Sequence, residues 1–256
     1  MARTVEDVAR LLEVQAGVNP EVPFGRAAEP FGDRLGVEMR GKRIGWLGDW
    51  GGAWQVEPGR LDLCEAGLRV FADMGAVVEP VAPPFPAEKL WFSWVTIRAM
   101  LNAGDKQAMY ADPVKRAQIK PESLWEIEQG AKVTAADFHA ASVIRSRWYA
   151  RAAKLFAEYD ALVLPTAQVW PFPIDWRWPQ AINGVAMDTY HRWMEVMIPP
   201  GLAGLPCLNL PVGFGPQGLS MGMQIFGAHG ADAKVLAMGH QYHLATDWPG
   251  KRPPVL

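Results

Sequence analysis

The serines are Ser93, Ser123, Ser142, Ser146 and Ser220. A serine nucleophile needs a base within hydrogen-bond reach and backbone donors for the oxyanion. Ser93, Ser123, Ser142 and Ser146 fall in helical stretches with no glycine-rich turn beside them, and no Gly-x-Ser-x-Gly elbow occurs. Ser220 opens an apolar run after Gly218, beside Met221 and Met223, which reads as a core hairpin. The histidines are His139, His191, His229, His240 and His243. His240 and His243 are spaced to share a helix face, but a metal site needs a third ligand, and no His-Glu-x-x-His pattern is present. They read as surface residues favoured near a helix C-terminus. Cys64 and Cys207 both sit in apolar surroundings and read as packed free thiols. Cys207 lacks a local cation to lower its pKa. The carboxylates Asp175, Asp188 and Glu195 lie near a tryptophan-rich stretch, with no spacing that selects an acid/base pair. Asp49-Trp50-Gly51-Gly52 reads as a plain turn after a strand, because a phosphate loop needs more glycines and a lysine. No catalytic residue is assigned, and no cofactor or metal is expected.

The elements around these residues follow from periodicity and breakers. Thr4, with Asp7 three residues on, caps a helix carrying Val5, Val8, Leu11 and Leu12, which ends near Gly17. Residues Glu21 to Gly41 read as a surface loop. Arg43–Leu47 is a strand, Pro58–Met74 an amphipathic helix and Ala76–Val81 a strand. Such a βαβ unit makes the two strands parallel. Helices are expected over Lys89–Met109, Pro121–Gly130 and Ala135–Tyr159, with Arg145, Arg147 and Arg151 on a solvated face. Tyr159–Thr166 becomes a buried strand ending at Pro165-Thr166. Ligands of open α/β sheets gather at the C-terminal ends of strands, so Thr166 is a pocket candidate, beside its plain reading as a turn-forming residue. Ala167–Ala186 is a Pro- and Trp-rich loop long enough to wall a pocket, and Trp170, Trp176, Trp178 and Trp193 suggest an aromatic-lined cavity. Asp188–Val196 reads as a helix. Ile198–Gly227 reads as turn, strand, hairpin turn and strand: Pro199-Pro200-Gly201 break the chain, and Cys207–Val212 pairs with Leu219–Phe226 in mid-sheet. Asp232 caps a last helix to about Ala245, and Pro249–Leu256 is an irregular tail.

Composition narrows the class. The chain has 256 residues, half of them hydrophobic, and a net charge of -2. That balance argues against a nucleic-acid binder held by a basic surface. No stretch is apolar for long enough to span a bilayer, and the first residues carry no apolar leader core. With two separated cysteines, a cytoplasmic location is expected.

Three stretches together resemble the amidase signature family. Met1–Ala9, MARTVEDVA, looks like the helix after the family's Gly-Pro-Met-Ala-Arg-Thr motif. Tyr159–Thr166 looks like its characteristic late strand. Gly201–Gly227, with LAGLPCLNLPVGF followed by GLSMGMQIFG, is similar to its C-terminal hairpin. The resemblance implies an α/β fold with a mixed sheet flanked by helices, in a single domain over 1–256 that is the C-terminal portion of the whole fold. It implies cleavage of a carboxylic amide C–N bond by a serine nucleophile, a second serine and a lysine. Those groups, and the oxyanion donors, belong to a region preceding the Met-Ala-Arg-Thr helix, and no serine or lysine here matches their positions. What carries over is Thr166 and the segment around Trp193 as the border of the substrate pocket. The chain is therefore expected to be inactive on amides alone and to associate through an exposed sheet edge. A small amide is the partner expected once the missing part is supplied. The rival is a non-catalytic protein on the same scaffold, holding a small ligand in its tryptophan-rich cavity. A nucleotide-binding α/β domain is a more distant third.

Overall fold

The computed structural model describes residues 1–23 and 25–251. The tail 252–256 expected to be irregular lies outside the described residues. α1 (Val5–Gln15) starts at the expected cap, with Thr4 Oγ1 accepting the Asp7 backbone N–H at 3.0 Å. β1 (Arg43–Trp46), α2 (Arg60–Asp73) and β2 (Val77–Pro80) form the βαβ unit, with both strands parallel. The turn after β1 packs against the helical layer. Trp50 takes the left-handed backbone at φ 61°, is buried and donates its indole N–H to the Phe85 carbonyl at 2.8 Å.

A helical layer follows: α3 (Ala87–Asp105), α4 (Gln107–Ala111), α5 (Pro113–Arg116), α6 (Pro121–Gly130) and α7 (Ala135–Leu155). α7 carries a full capping box between Thr134 and Asp137, which satisfies two orphan donors at its start. β3 (Ala161–Pro165) is buried throughout. β4 (Ala181–Ile182) and β5 (Val185–Ala186) make a small hairpin. A 3₁₀ segment, Arg192–Met197, leads into α8 (Ile198–Ala203), β6 (Cys207–Phe214), β7 (Ser220–Phe226) and α9 (Asp232–Thr246).

The main sheet runs β2-β1-β3-β7-β6, with β7 antiparallel to both its neighbours. This is the expected mixed sheet with helices on both faces. On one face Ile44, Val163, Leu210 and Met223 pack with Phe71 of α2 and Tyr242 of α9. On the other, Leu162, Leu164 and Phe226 pack with Trp148 of α7 and Leu90 of α3. The alternation along β3 is the period-two pattern of a strand buried on both sides. Trp148 is fully enclosed, and its N–H donates to the Pro199 carbonyl at 2.8 Å.

Several expectations are corrected. β7 stands in mid-sheet as expected, but among the described residues β6 pairs with β7 alone and ends the sheet. Its Cys207, Asn209 and Pro211 project away from α2 and α9 and are exposed, although the Cys207 thiol itself turns to Gln224 Oε1 at 3.5 Å and burial pushes its pKa up to about 12. Cys64 is buried, as expected. Ser220 is exposed at the start of β7 rather than packed in the core. Pro199-Pro200-Gly201 do not break the chain: they lie in the first turn of α8, where a proline's missing N–H costs nothing. The helix expected over Asp188–Val196 is the short 3₁₀ segment, interrupted at Met194. The helix expected to Met109 stops at Asp105, after Gly104-Asp105, two poor helix formers. α7 stops at Leu155 rather than Tyr159. Asp232 is the first residue of α9, and Ala231 is its uncapped N-cap. The Ala167–Ala186 loop contains the β4–β5 hairpin, turned by Asn183 and Gly184 at φ 52° and 80°. Two successive left-handed residues are what such a tight hairpin requires.

Candidate functional site

Thr166 and Trp193 lie 27 residues apart in the chain but line one cleft of about 420 Å³. It opens beyond the C-terminal end of β3, where β7 begins. Thr166 hangs off the strand end, its backbone N–H held by the Gly222 carbonyl at 3.0 Å. Its hydroxyl donates to Asn209 Oδ1 at 3.3 Å. Gly222 makes that approach feasible, since a Cβ there would sit 3.0 Å from both the Thr166 hydroxyl oxygen and the Leu210 carbonyl oxygen. Trp170 forms another wall. Its ring lies against Gly215, where a Cβ would come within 2.5 Å of it. Phe172 meets Trp193 edge to face at 5.5 Å, a favourable aromatic geometry. The tryptophan cluster thus divides. Trp170 and Trp193 face this cleft, whereas Trp176 and Trp178 border other surface hollows.

Charge pairs made by its chain neighbours fix the segment that carries Trp193. His191 Nε2 lies 3.0 Å from the buried Glu126 carboxylate, which also takes the Arg98 guanidinium. Burial works against the Glu126 anion, but its bonds to His191 and Arg98 outweigh that and lower its pKa. One residue on from His191, Arg192 stacks over the Trp91 ring at 3.8 Å. Arg192 bonds Asp188 and Glu195, each at 2.9 Å. Burial pushes the Glu195 carboxyl up to about 7, against the pull of Arg192. These bonds fasten the segment carrying Trp193 to α3 and α6.

Arg60, the first residue of α2, also lines the cleft and is 1 % exposed. Its Nε–H donates to the Ala167 carbonyl at 3.2 Å, and Nη2 meets the Met221 sulfur at 2.7 Å. Nη1 has no partner. The guanidinium lies over the Trp170 ring at 4.7 Å, and burial lowers its pKa to about 10. Sequence reasoning misses Arg60. Its one visible signal is a cation in the first turn of a helix, opposed by the helix dipole.

The other candidates stay apart. Ser220 lines the cleft, but no histidine or lysine does. Ser93 is buried and donates to the Ala141 carbonyl at 2.7 Å. Ser146 bonds the Ser142 carbonyl within its own helix. His240 and His243 stack at 6.0 Å between centroids on α9. Burial, then the charge of His243, lowers the His240 pKa. Among the described residues no group of three His, Cys, Asp or Glu side chains is placed to hold a metal ion. Burial pushes the Cys64 thiol up to about 12, which leaves it inert.

A mixed α/β sheet with helices on both faces and a cleft at the strand ends is an architecture that hosts many chemistries. Comparison with known proteins narrows it. The amidase family model matches residues 1–236, and this chain belongs to the amidase (amidase signature) family. It is 29% identical over 290 residues to a glutamyl-tRNA(Gln) amidotransferase subunit from Neisseria gonorrhoeae, covering 99% of this chain and 56% of that protein. It is 24% identical over 258 residues to an acylamidase of Rhodococcus erythropolis, covering 99% of this chain and 53% of that one. Among solved structures, a bacterial aryl acylamidase of the amidase signature family superposes with a TM-score of 0.86 at 26% identity. That match covers 99% of this chain and 55% of the other. The 6-aminohexanoate cyclic dimer hydrolase shares the fold, with a TM-score of 0.81 at 21% identity, over 98% of this chain and 55% of its own. The chain spans about half the length of the relatives it matches. Among the described residues no helix is long and apolar enough to cross a membrane.

Proposed function

We propose that these 256 residues form one domain, the C-terminal portion of an amidase that hydrolyses a carboxylic amide C–N bond. They supply the sheet and one wall of the substrate cleft, while the reacting serines and lysine come from a complementary part. The observation that carries this reading is the cleft itself. It has aromatic walls and a strand-end hydroxyl at Thr166, yet its lining holds no base that would activate Ser220. A nucleophile without a base is a weak one. By itself the chain is inactive toward amides.

The β6 edge is where the complementary part would dock. Its outer backbone pairs with no strand among the described residues, and its exposed face carries Cys207, Asn209 and Pro211. Unpaired strand edges recruit other chains, so the isolated chain associates at high concentration. A cytoplasmic setting fits its free thiols.

Thr166 and Trp193 contact the amide in this reading. Calorimetric titration with benzamide is expected to show binding that Trp193→Ala weakens about tenfold, the worth of one buried aromatic contact. Equal affinity in the two proteins would place the pocket elsewhere. Strong ligand binding by a chain that never gains activity from any complementary part would favour the rival, a binding protein on an amidase scaffold.

A further inference from the structure

Among the described residues three Asp, Glu, Lys or Arg side chains are almost wholly buried: Arg60, Glu126 and Glu195. Glu126 and Glu195 each have a cation in contact. Arg60 has no acid bonded to it; Glu57 acts on it only through space. A guanidinium carries five N–H donors and no acceptor. Here one donor is well used, on the Ala167 carbonyl. Another faces a thioether sulfur, which accepts weakly. Both hydrogens of Nη1 are unmatched. Buried polar groups are almost always paired, and each exception calls for a reason.

The surroundings supply one. Arg60, Ala167, Trp170 and Met221 line the same cleft as Thr166 and Trp193. Trp170 covers a face of the guanidinium and fixes its plane. The edge without a strong acceptor is the Nη1–Nη2 fork, covered in the free chain by its neighbours, Met221 among them, and its spacing matches the two oxygens of a carboxylate. Met221, on Nη2, is unbranched and able to move aside. Phe172 and Trp193 give the same cleft an apolar surface.

We propose that the cleft recognises a small carboxylate-bearing molecule, its carboxylate bidentate on the Arg60 fork and its apolar body against Trp170, Phe172 and Trp193. In the completed enzyme this selects amides that carry a carboxylate away from the scissile bond. That last step rests on the reading of the cleft as the amidase substrate wall, whereas the carboxylate site does not.

The test is calorimetric titration of the chain with benzoate and with benzamide, which share a ring and differ in charge. Benzoate is expected to bind at least tenfold more tightly. Arg60→Met is expected to bring benzoate down to the level of benzamide. Met221→Glu sets an internal carboxylate opposite Nη2. It is expected to abolish benzoate binding while raising the melting temperature, so the fork is tested even if Arg60→Met fails to fold. Benzamide binding with no preference for benzoate would overturn the carboxylate site and leave the cleft reading intact. Binding of neither ligand would overturn both. A benzoate preference that survives Arg60→Met or Met221→Glu would also overturn the assignment.

Discussion

Arg192 and Arg60 are each stacked on a tryptophan and drawn in from solvent, but their surroundings differ. Arg192 lies over Trp91 and meets Asp188, Glu195 and Glu88. Arg60 lies over Trp170 and meets a carbonyl and a sulfur. Burial disfavours both cations. The acids around Arg192 outweigh it and raise its pKa, whereas Arg60 is lowered to about 10. A charge surrounded by its own counter-ions holds the fold together. A charge buried without them is a cost to the fold, and it sits where a ligand would relieve it. The contrast sets a paired cation on the Trp193 segment against an unpaired one in the lining of the cleft.

The largest expected effect breaks the satisfied partner. Arg192→Met leaves Glu195 buried without its cation. It is expected to destabilise the chain by about 3 kcal/mol, the lower end for breaking a buried pair, because Glu195 can escape by taking up a proton. Denaturant unfolding measures it. Next is the pH dependence that Glu195 imposes. Its folded pKa, about 7, lies above the ordinary 4.5. Between those values the folded protein binds a proton that the unfolded chain releases. The stabilisation is therefore complete below about 4.5 and is lost as pH rises through 7. The slope is at most about 1.4 kcal/mol per pH unit. His240, with a lowered pKa, acts in the opposite sense. The difference in melting temperature between wild type and Glu195→Gln across pH 5 to 8 isolates the carboxyl, and a difference independent of pH would refute its titration.

Arg60→Met sharpens the contrast with Arg192→Met. Replacing an unpaired buried cation by an apolar chain of similar length is expected to change stability by no more than about 1 kcal/mol, towards gain. A loss matching that of Arg192→Met would show that Arg60 is structural. The smallest effect belongs to the cleft hydroxyl. Thr166→Val removes a long, partly exposed hydrogen bond and is expected to cost about 0.5 kcal/mol, while weakening amide binding in titration.

The sequence made the fold readable where punctuation and periodicity agreed. The Thr4 cap, the βαβ unit and the β6–β7 hairpin all stand where Gly, Pro and apolar spacing place them. Long-range pairing is not readable: nothing local in Cys207–Phe214 says that, among the described residues, it pairs with β7 alone. Asn183-Gly184 was a visible hairpin signal inside a stretch that otherwise reads as plain loop. In the cleft, Thr166 was recognisable from its place at a strand end, and Trp193 came from family resemblance. Arg60 was missed because burial and missing partners are properties of the assembled fold, since they depend on Ala167 and Met221, more than a hundred residues away.

The rate of p-nitroacetanilide hydrolysis by the purified chain tests the central claim most directly. The prediction is no release of p-nitroaniline above the rate in buffer, because the cleft has walls but no activated nucleophile. A measurable rate that Ser220→Ala or Cys207→Ala abolishes would contradict it, and would place the chemistry within these residues.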